Sequence, residues 1–260
     1  MTDPDEADLS PEEILREAET AFSKAARLFA TGHQEKSIIA FTEALELYSQ
    51  VEGTERQQAD CLNNAGVAFN VLGGHDEALD AYEVALDFYR DLSDTERQQA
   101  DCLNCIGTAL RRTESDKEAV SAYRQALDLY RDLPGTEQKQ ASCLKDTGRV
   151  LRRMGHHNEA LVACREALGL YQHLPGSERD QAECLNGTGI ALYALGRYEQ
   201  AVATYRQALD LYRDLPGSER DRAACSYNIS TALHKTGRHE EALAFYQQAQ
   251  KIYLQPDGGR

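Results

Sequence analysis

The sequence contains none of the short motifs that usually mark catalysis. It has no G-x-x-x-x-G-K-[ST] loop to cradle phosphates, no G-x-G-x-x-G turn and no H-E-x-x-H pair. No acid–base or nucleophilic cluster stands out, so a non-enzymatic chain is expected. A run of about 18 apolar residues is also absent, which leaves no segment to span a bilayer. Basic charge is in short supply: 28 Lys and Arg face 43 Asp and Glu, for a net charge of −15. Nucleic acids and anionic membranes both require a net attraction to phosphate, so neither is expected as a partner, and any anion site must be a local basic island. The opening stretch MTDPDEADLSPEEIL is acidic where a signal peptide would be basic and then apolar, so a cytoplasmic location is expected.

Cysteine is present but in the wrong pattern for a disulfide framework. There are seven, an odd number, and five of them, Cys61, Cys102, Cys143, Cys184 and Cys225, are each 41 residues from the next. Self-similarity at a fixed period is the signature of a repeat protein. Equivalent residues of stacked units lie about 10 Å apart, beyond the roughly 7 Å Cα limit for a disulfide, so these thiols read as reduced, buried packing groups. Cys102-x-x-Cys105 has metal spacing, but no second pair matches it, and His75 and His156-His157 fall in turns. No metal and no cofactor are expected.

The period divides the chain into repeats at about 12–52, 53–93, 94–134, 135–175, 176–216 and 217–254, with an acidic, disordered lead-in over 1–9 and a flexible tail over 255–260. Ser10-Pro11-Glu12-Glu13 combines an N-cap residue, a first-turn proline and acids against the positive helix end, which predicts a helix start. Later units open on Thr54, Thr95, Thr136, Ser177 or Ser218 followed by glutamate. In the second and third units a glutamine three residues on predicts a capping box. In the fifth unit a first helix is predicted from about Glu178 to Leu195 and a second from about Tyr198 to Leu215, broken at Gly196-Arg197 and stopped by Pro216-Gly217. Small residues recur at Ser37, Ala78, Ala119, Ala160, Ala201 and Ala242, and again at Ala44, Ala85, Ala126, Ala167, Ala208 and Ala249. Close approach of helices is the physical reason.

Leu62-x-x-Ala65-Gly66-x-x-Phe69 followed by Ala78-x-x-x-Tyr82-x-x-Ala85 resembles the tetratricopeptide repeat pattern, and it recurs through all six units. The usual repeat has 34 residues. The seven further residues here resemble the long-helix repeats of kinesin light chains. The resemblance implies an all-α, right-handed solenoid of six helix-turn-helix repeats whose first helices line a concave groove. It also implies a scaffold or adaptor that binds a protein or peptide in that groove. Three departures are local: Glu114 replaces an inter-helix glycine, Cys164 replaces an aromatic, and Ser230 replaces a small glycine.

Placed on that pattern, the groove-facing residues show two features. Asn63, Asn104 and Asn186 share one repeat position and Asn64 and Asn228 the next. A side-chain amide both donates to and accepts from a peptide backbone, so such a row suits an extended ligand, although asparagines there also belong to the family's common helix pattern. Arg111, Arg112, Lys145, Arg149, Arg152 and Arg153 form a basic island in an acidic chain. Guanidinium forks suit carboxylates and phosphates, so an acidic or C-terminal segment is the expected ligand. The other reading is that these cations neutralise helix C-termini and pair with nearby glutamates. Lys145 sits where the carboxylate clamps of chaperone-binding adaptors have lysine, and Arg149 where they have asparagine, so the clamp pattern is matched in part. Tyr193 and Tyr227 supply aromatic contact. A regulatory receptor for a peptide or small anion, and a structural self-associating module, are the rival readings. For the latter, no extra polar helix follows the sixth unit, so the face around Phe245, Ala249, Ile252 and Tyr253 is expected to be covered by a homodimer partner.

Overall fold

The computed structural model describes residues 9–254, and among these there are twelve α-helices and no strand. Nearly all of the acidic lead-in and the whole of the tail lie outside the described residues. In chain order the helices are α1 (Pro11–Ala30), α2 (Gln34–Tyr48), α3 (Glu55–Leu72), α4 (His75–Asp91), α5 (Glu96–Arg112) and α6 (Asp116–Arg131). They continue with α7 (Glu137–Arg153), α8 (His157–Tyr171), α9 (Glu178–Ala194), α10 (Tyr198–Arg213), α11 (Glu219–Lys235) and α12 (His239–Tyr253). They gather into two compact units, Met1–Leu129 and Tyr130–Arg260. Each helix packs on the next from α1 to α5 in one unit and from α7 to α12 in the other, and neighbouring first helices touch: α1 with α3 and α3 with α5 in one unit, α7 with α9 and α9 with α11 in the other. This is the connectivity of an all-α repeat solenoid.

The first helix starts as its sequence predicts. Ser10 and Glu13 form a complete capping box, with Glu13 Oε2 accepting from the Ser10 backbone at 2.9 Å and Pro11 in the first turn. The Ser10 side-chain and backbone hydrogen bonds hold the Glu13 carboxyl below its usual value.

The other repeat joints are built differently from the capping box expected at Thr54 and Thr95. Those hydroxyls, like those of Thr136 and Ser177, are buried and turn back toward the preceding helix. Thr54 Oγ1 donates to the Tyr48 carbonyl at 2.6 Å, Thr95 to Tyr89 at 2.5 Å, Thr136 to Tyr130 at 2.5 Å and Ser177 to Tyr171 at 2.6 Å. Ser218 makes the same bond to Tyr212. The glutamine that completes the joint is four residues on rather than three: Gln99, Gln140 and Gln181 donate to both the hydroxyl at 3.0 Å and the tyrosine carbonyl at 3.2 Å. The physical reason is burial. Where two helices meet inside the stack, the last carbonyls of the outgoing helix lose water, whereas the first amides of the incoming helix can be reached by solvent.

Packing follows the small-residue stripes. Ala78, Ala119, Ala160 and Ala201 are 0% exposed, as are Ala44, Ala85, Ala126, Ala167 and Ala208. The closest approach is at Gly66, Gly107 and Gly189, where an added Cβ would lie 2.7, 2.7 and 2.5 Å from the rings of Tyr82, Tyr123 and Tyr205. At Gly148 the facing group is the Cys164 sulfur, 2.7 Å away. The five periodic cysteines are 0–1% exposed and unbridged. Burial pushes the thiols of Cys61, Cys184 and Cys225 up to about 12, which makes them inert packing groups.

Candidate functional site

First helices of one unit run parallel, one period apart, and this sets which side chains meet. A helical side chain leans toward the N-terminus of its own helix, and side chains of one first helix meet residues 35 to 42 positions ahead on the next. Lys145 on α7 shows the result. Its ammonium is bonded to Asp180 and, at 3.0 Å, to Glu183, both on α9, and it sits 5.7 Å from the Tyr171 ring centroid. Burial pulls the Lys145 ammonium down, and its bonds to Asp180 and Glu183 more than reverse this, so it titrates above its usual value.

Arg149 is more loosely held, with Nη2 3.8 Å from Glu183 and Nε 3.9 Å from Asp146. Arg152 stands apart. It is half-buried, its Nε is shielded from solvent without a partner, and no carboxylate lies in salt-bridge range of it among the described residues. Burial holds its guanidinium below the ordinary arginine value and repulsion from Arg149 adds to this, yet it stays charged at neutral pH. Arg153 is exposed. In the other unit Arg111 is half-buried and Arg112 exposed, both at the end of α5.

The asparagines divide in the same way. Asn186 on α9 accepts from the Asn228 amide on α11 at 3.1 Å, so these two are bonded to each other. Asn64 donates to the Asp60 carbonyl of its own helix at 2.7 Å. Asn63 is half-buried with an Oδ1 that is shielded and unpartnered, and Asn104 is half-buried on α5. Tyr193 packs edge-on against Tyr198, with centroids 5.3 Å apart. On α12, Ala249 is 1% exposed and belongs to the core of its own helix pair. Phe245 lies under the Arg206 guanidinium at 5.6 Å, Ile252 is half-buried, and Tyr253 is 56% exposed.

Several partners were not legible as site residues, above all Asp180 and Glu183. The signal that finds them is the separation itself. Cross-helix pairs fall 35 to 42 residues apart, as in Lys145–Asp180, Lys145–Glu183, Arg179–Asp221 and Asn186–Asn228.

Stacked antiparallel helix pairs carrying polar side chains on their first helices define a helical-repeat solenoid. The tetratricopeptide repeat model matches residues 16–91, 98–173, 148–214 and 181–255, and the chain belongs to that family. Among solved structures it is similar to BtubC (BKLC) from P. vanneervenii at a TM-score of 0.69 and 18% identity, covering 97% of this chain and 94% of that one. It is also similar to the nearly identical TPR-like repeats of a putative kinesin light chain from Podosopora anserina, with a TM-score of 0.65, 16% identity and coverage of 80% and 100%. A third is YrrB, described as a TPR protein with an unusual peptide-binding site, with a TM-score of 0.60, 22% identity and coverage of 84% and 94%. At these identities the likeness shows the fold. No curated protein matches the sequence.

Proposed function

We propose that the chain is a non-enzymatic interaction scaffold that binds an acidic or carboxylate-terminated segment of a partner protein on the first-helix face of α7 and α9. The observation that carries this reading is Arg152. A half-buried guanidinium with no carboxylate partner and a second arginine beside it is an unfavourable arrangement in the free chain, and a ligand carboxylate relieves it through charge-assisted hydrogen bonds. Asn186 and Tyr193 stand on α9, the next first helix, and in this reading would supply a polar and an aromatic contact. Lys145 contributes shape more than charge, because Asp180 and Glu183 already neutralise it.

Fluorescence anisotropy with an aspartate-rich peptide ending in a free carboxylate tests the reading. Wild type is expected to bind it, more weakly as salt rises. Arg152→Gln is expected to lose about tenfold in affinity with an unchanged circular dichroism spectrum. Equal binding by wild type and Arg152→Gln overturns the assignment. Displacement of the peptide by millimolar inorganic phosphate would favour a small-anion receptor instead.

A further inference from the structure

Two pairs of adjacent second helices are joined by an ion pair at an offset of 35 residues. Arg206 on α10 pairs with Glu241 on α12, and Arg131 on α6 pairs with Glu166 on α8 at 2.6 Å. The same offset on α4 and α6 gives a different chemistry. Glu83 stands where Arg206 stands, with Glu118 at the offset of 35, and Arg90 stands where Arg131 stands, with Gln125 at that offset. The remaining pairs equivalent to Glu83 and Glu118 are Thr42 with Glu77, Arg124 with Glu159 and Arg165 with Gln200, so this is the one such pair in the sequence in which both members are acidic. Arg90 turns to Asp87 of its own helix, 3.5 Å away. Between α4 and α6 an open cleft of about 410 Å³ remains, with all four of these side chains on its rim.

The floor of this cleft is apolar. Leu103, Ile106 and Leu110 of α5 lie at spacings of three and four, a row of two helical turns about 10 Å long. Leu103 and Ile106 are 6% and 8% exposed, so the floor is held by the core and offers only its edge. An apolar strip bordered by Glu83 and Glu118, neither of them ion-paired among the described residues, with Arg90 held by Asp87 beside them, is complementary to a long cationic side chain. The aliphatic stem of a lysine or arginine lies along such a strip while its head stays among the carboxylates.

We infer that the α4–α6 cleft is a second docking surface, which takes a lysine- or arginine-bearing amphipathic segment of a partner protein between Glu83 and Glu118. It is built from α4, α5 and α6, none of which contributes to the α7–α9 face, and its charge preference is opposite. The surplus of acid over base in the whole chain adds a long-range attraction for the same kind of partner.

The probe is a labelled amphipathic helical peptide of lysine and leucine, with a version carrying glutamate for lysine as its control, read by anisotropy on the full chain. Wild type is expected to bind the lysine peptide and ignore the glutamate peptide. Glu83→Arg rebuilds the ion pair that α10 and α12 have, and it is expected to lose about tenfold in affinity while melting at or above the wild-type temperature. Glu17→Arg on α1, which makes the same change in net charge away from the cleft, is expected to bind like wild type, as is Arg152→Gln. Equal losses in Glu83→Arg and Glu17→Arg would reduce the effect to net charge and overturn the site. Light scattering that shows a wild-type dimer and a Glu83→Arg monomer would make the occupant a second copy, and the inference of a separate partner would then fail.

Discussion

Asn63 and Asn186 occupy the same repeat position three periods apart, and Lys145 occupies it between them, yet the three side chains meet different fates. Asn63 has an acceptor with no partner among the described residues, Asn186 is bonded to Asn228, and Lys145 is bonded to two carboxylates. The scaffold therefore sets the repeat position of a first-helix residue, while the residues about one period further on decide whether its polar atoms are already bonded. A row of equivalent polar residues is not a row of equivalent contacts.

Three sets of substitutions test that distinction. The largest effect belongs to the scaffold, where equivalence should hold. Gly189→Ala forces a Cβ against the Tyr205 ring and is expected to destabilise by about 1–3 kcal/mol, read as a lower melting temperature. A wild-type melt would mean that the glycine positions are interchangeable with alanine. In the first pair Ala25 already stands at this position, with Phe41 buried against it, so the expected loss comes from the specific seating of a tyrosine.

Smaller effects are expected at the polar first-helix positions, where equivalence should fail. Lys145→Ala leaves Asp180 and Glu183 facing each other and is expected to destabilise by about 1–2 kcal/mol, discounted because both acids are a third exposed. Asn186→Ala is expected to lose about 1 kcal/mol with the Asn228 bond. Asn63→Ala, which removes only an unsatisfied acceptor, is expected to stay within about 0.5 kcal/mol of wild type. Similar losses at all three positions would show that the repeat position, and not its neighbours, sets the energetics.

Two further substitutions are expected to give small gains. Asp94 and Glu114 take φ of 57° and 61° where equivalent positions hold glycine with φ between 67° and 88°. Asp94→Gly and Glu114→Gly are each expected to stabilise by about 0.5–1 kcal/mol, because a left-handed backbone strains any residue with a Cβ. Unchanged melting temperatures would mean that local contacts of the two acids offset that strain.

Most of the fold was legible because it repeats. One unit read with its turns, its alanine stripes and its close glycine predicted the other five, and the predicted helices of the fifth unit, about Glu178 to Leu195 and Tyr198 to Leu215, compare with Glu178–Ala194 and Tyr198–Arg213 observed. The joints were misread at Thr54 and Thr95 because a capping box is a local pattern. Which backbone groups lose water at a joint depends on the neighbouring helix, and that neighbour gave the hydroxyls to the tyrosine carbonyls instead. The candidate site was legible only as composition: the sequence located the asparagine row and the basic island without showing which members were already bonded.

The sequence by itself determined the period, the twelve helices, the buried cysteines and the side chains that stand on the first-helix faces, since each follows from spacing along one chain. Only the tertiary structure decided that Lys145 is neutralised and Arg152 is not, that Ala249 is buried, and that Glu83 and Glu118 border one cleft. Those outcomes depend on distances between residues 35 to 42 positions apart on neighbouring helices, where packing brings charges and polar atoms within a few ångströms and so fixes which of them are satisfied before any partner arrives.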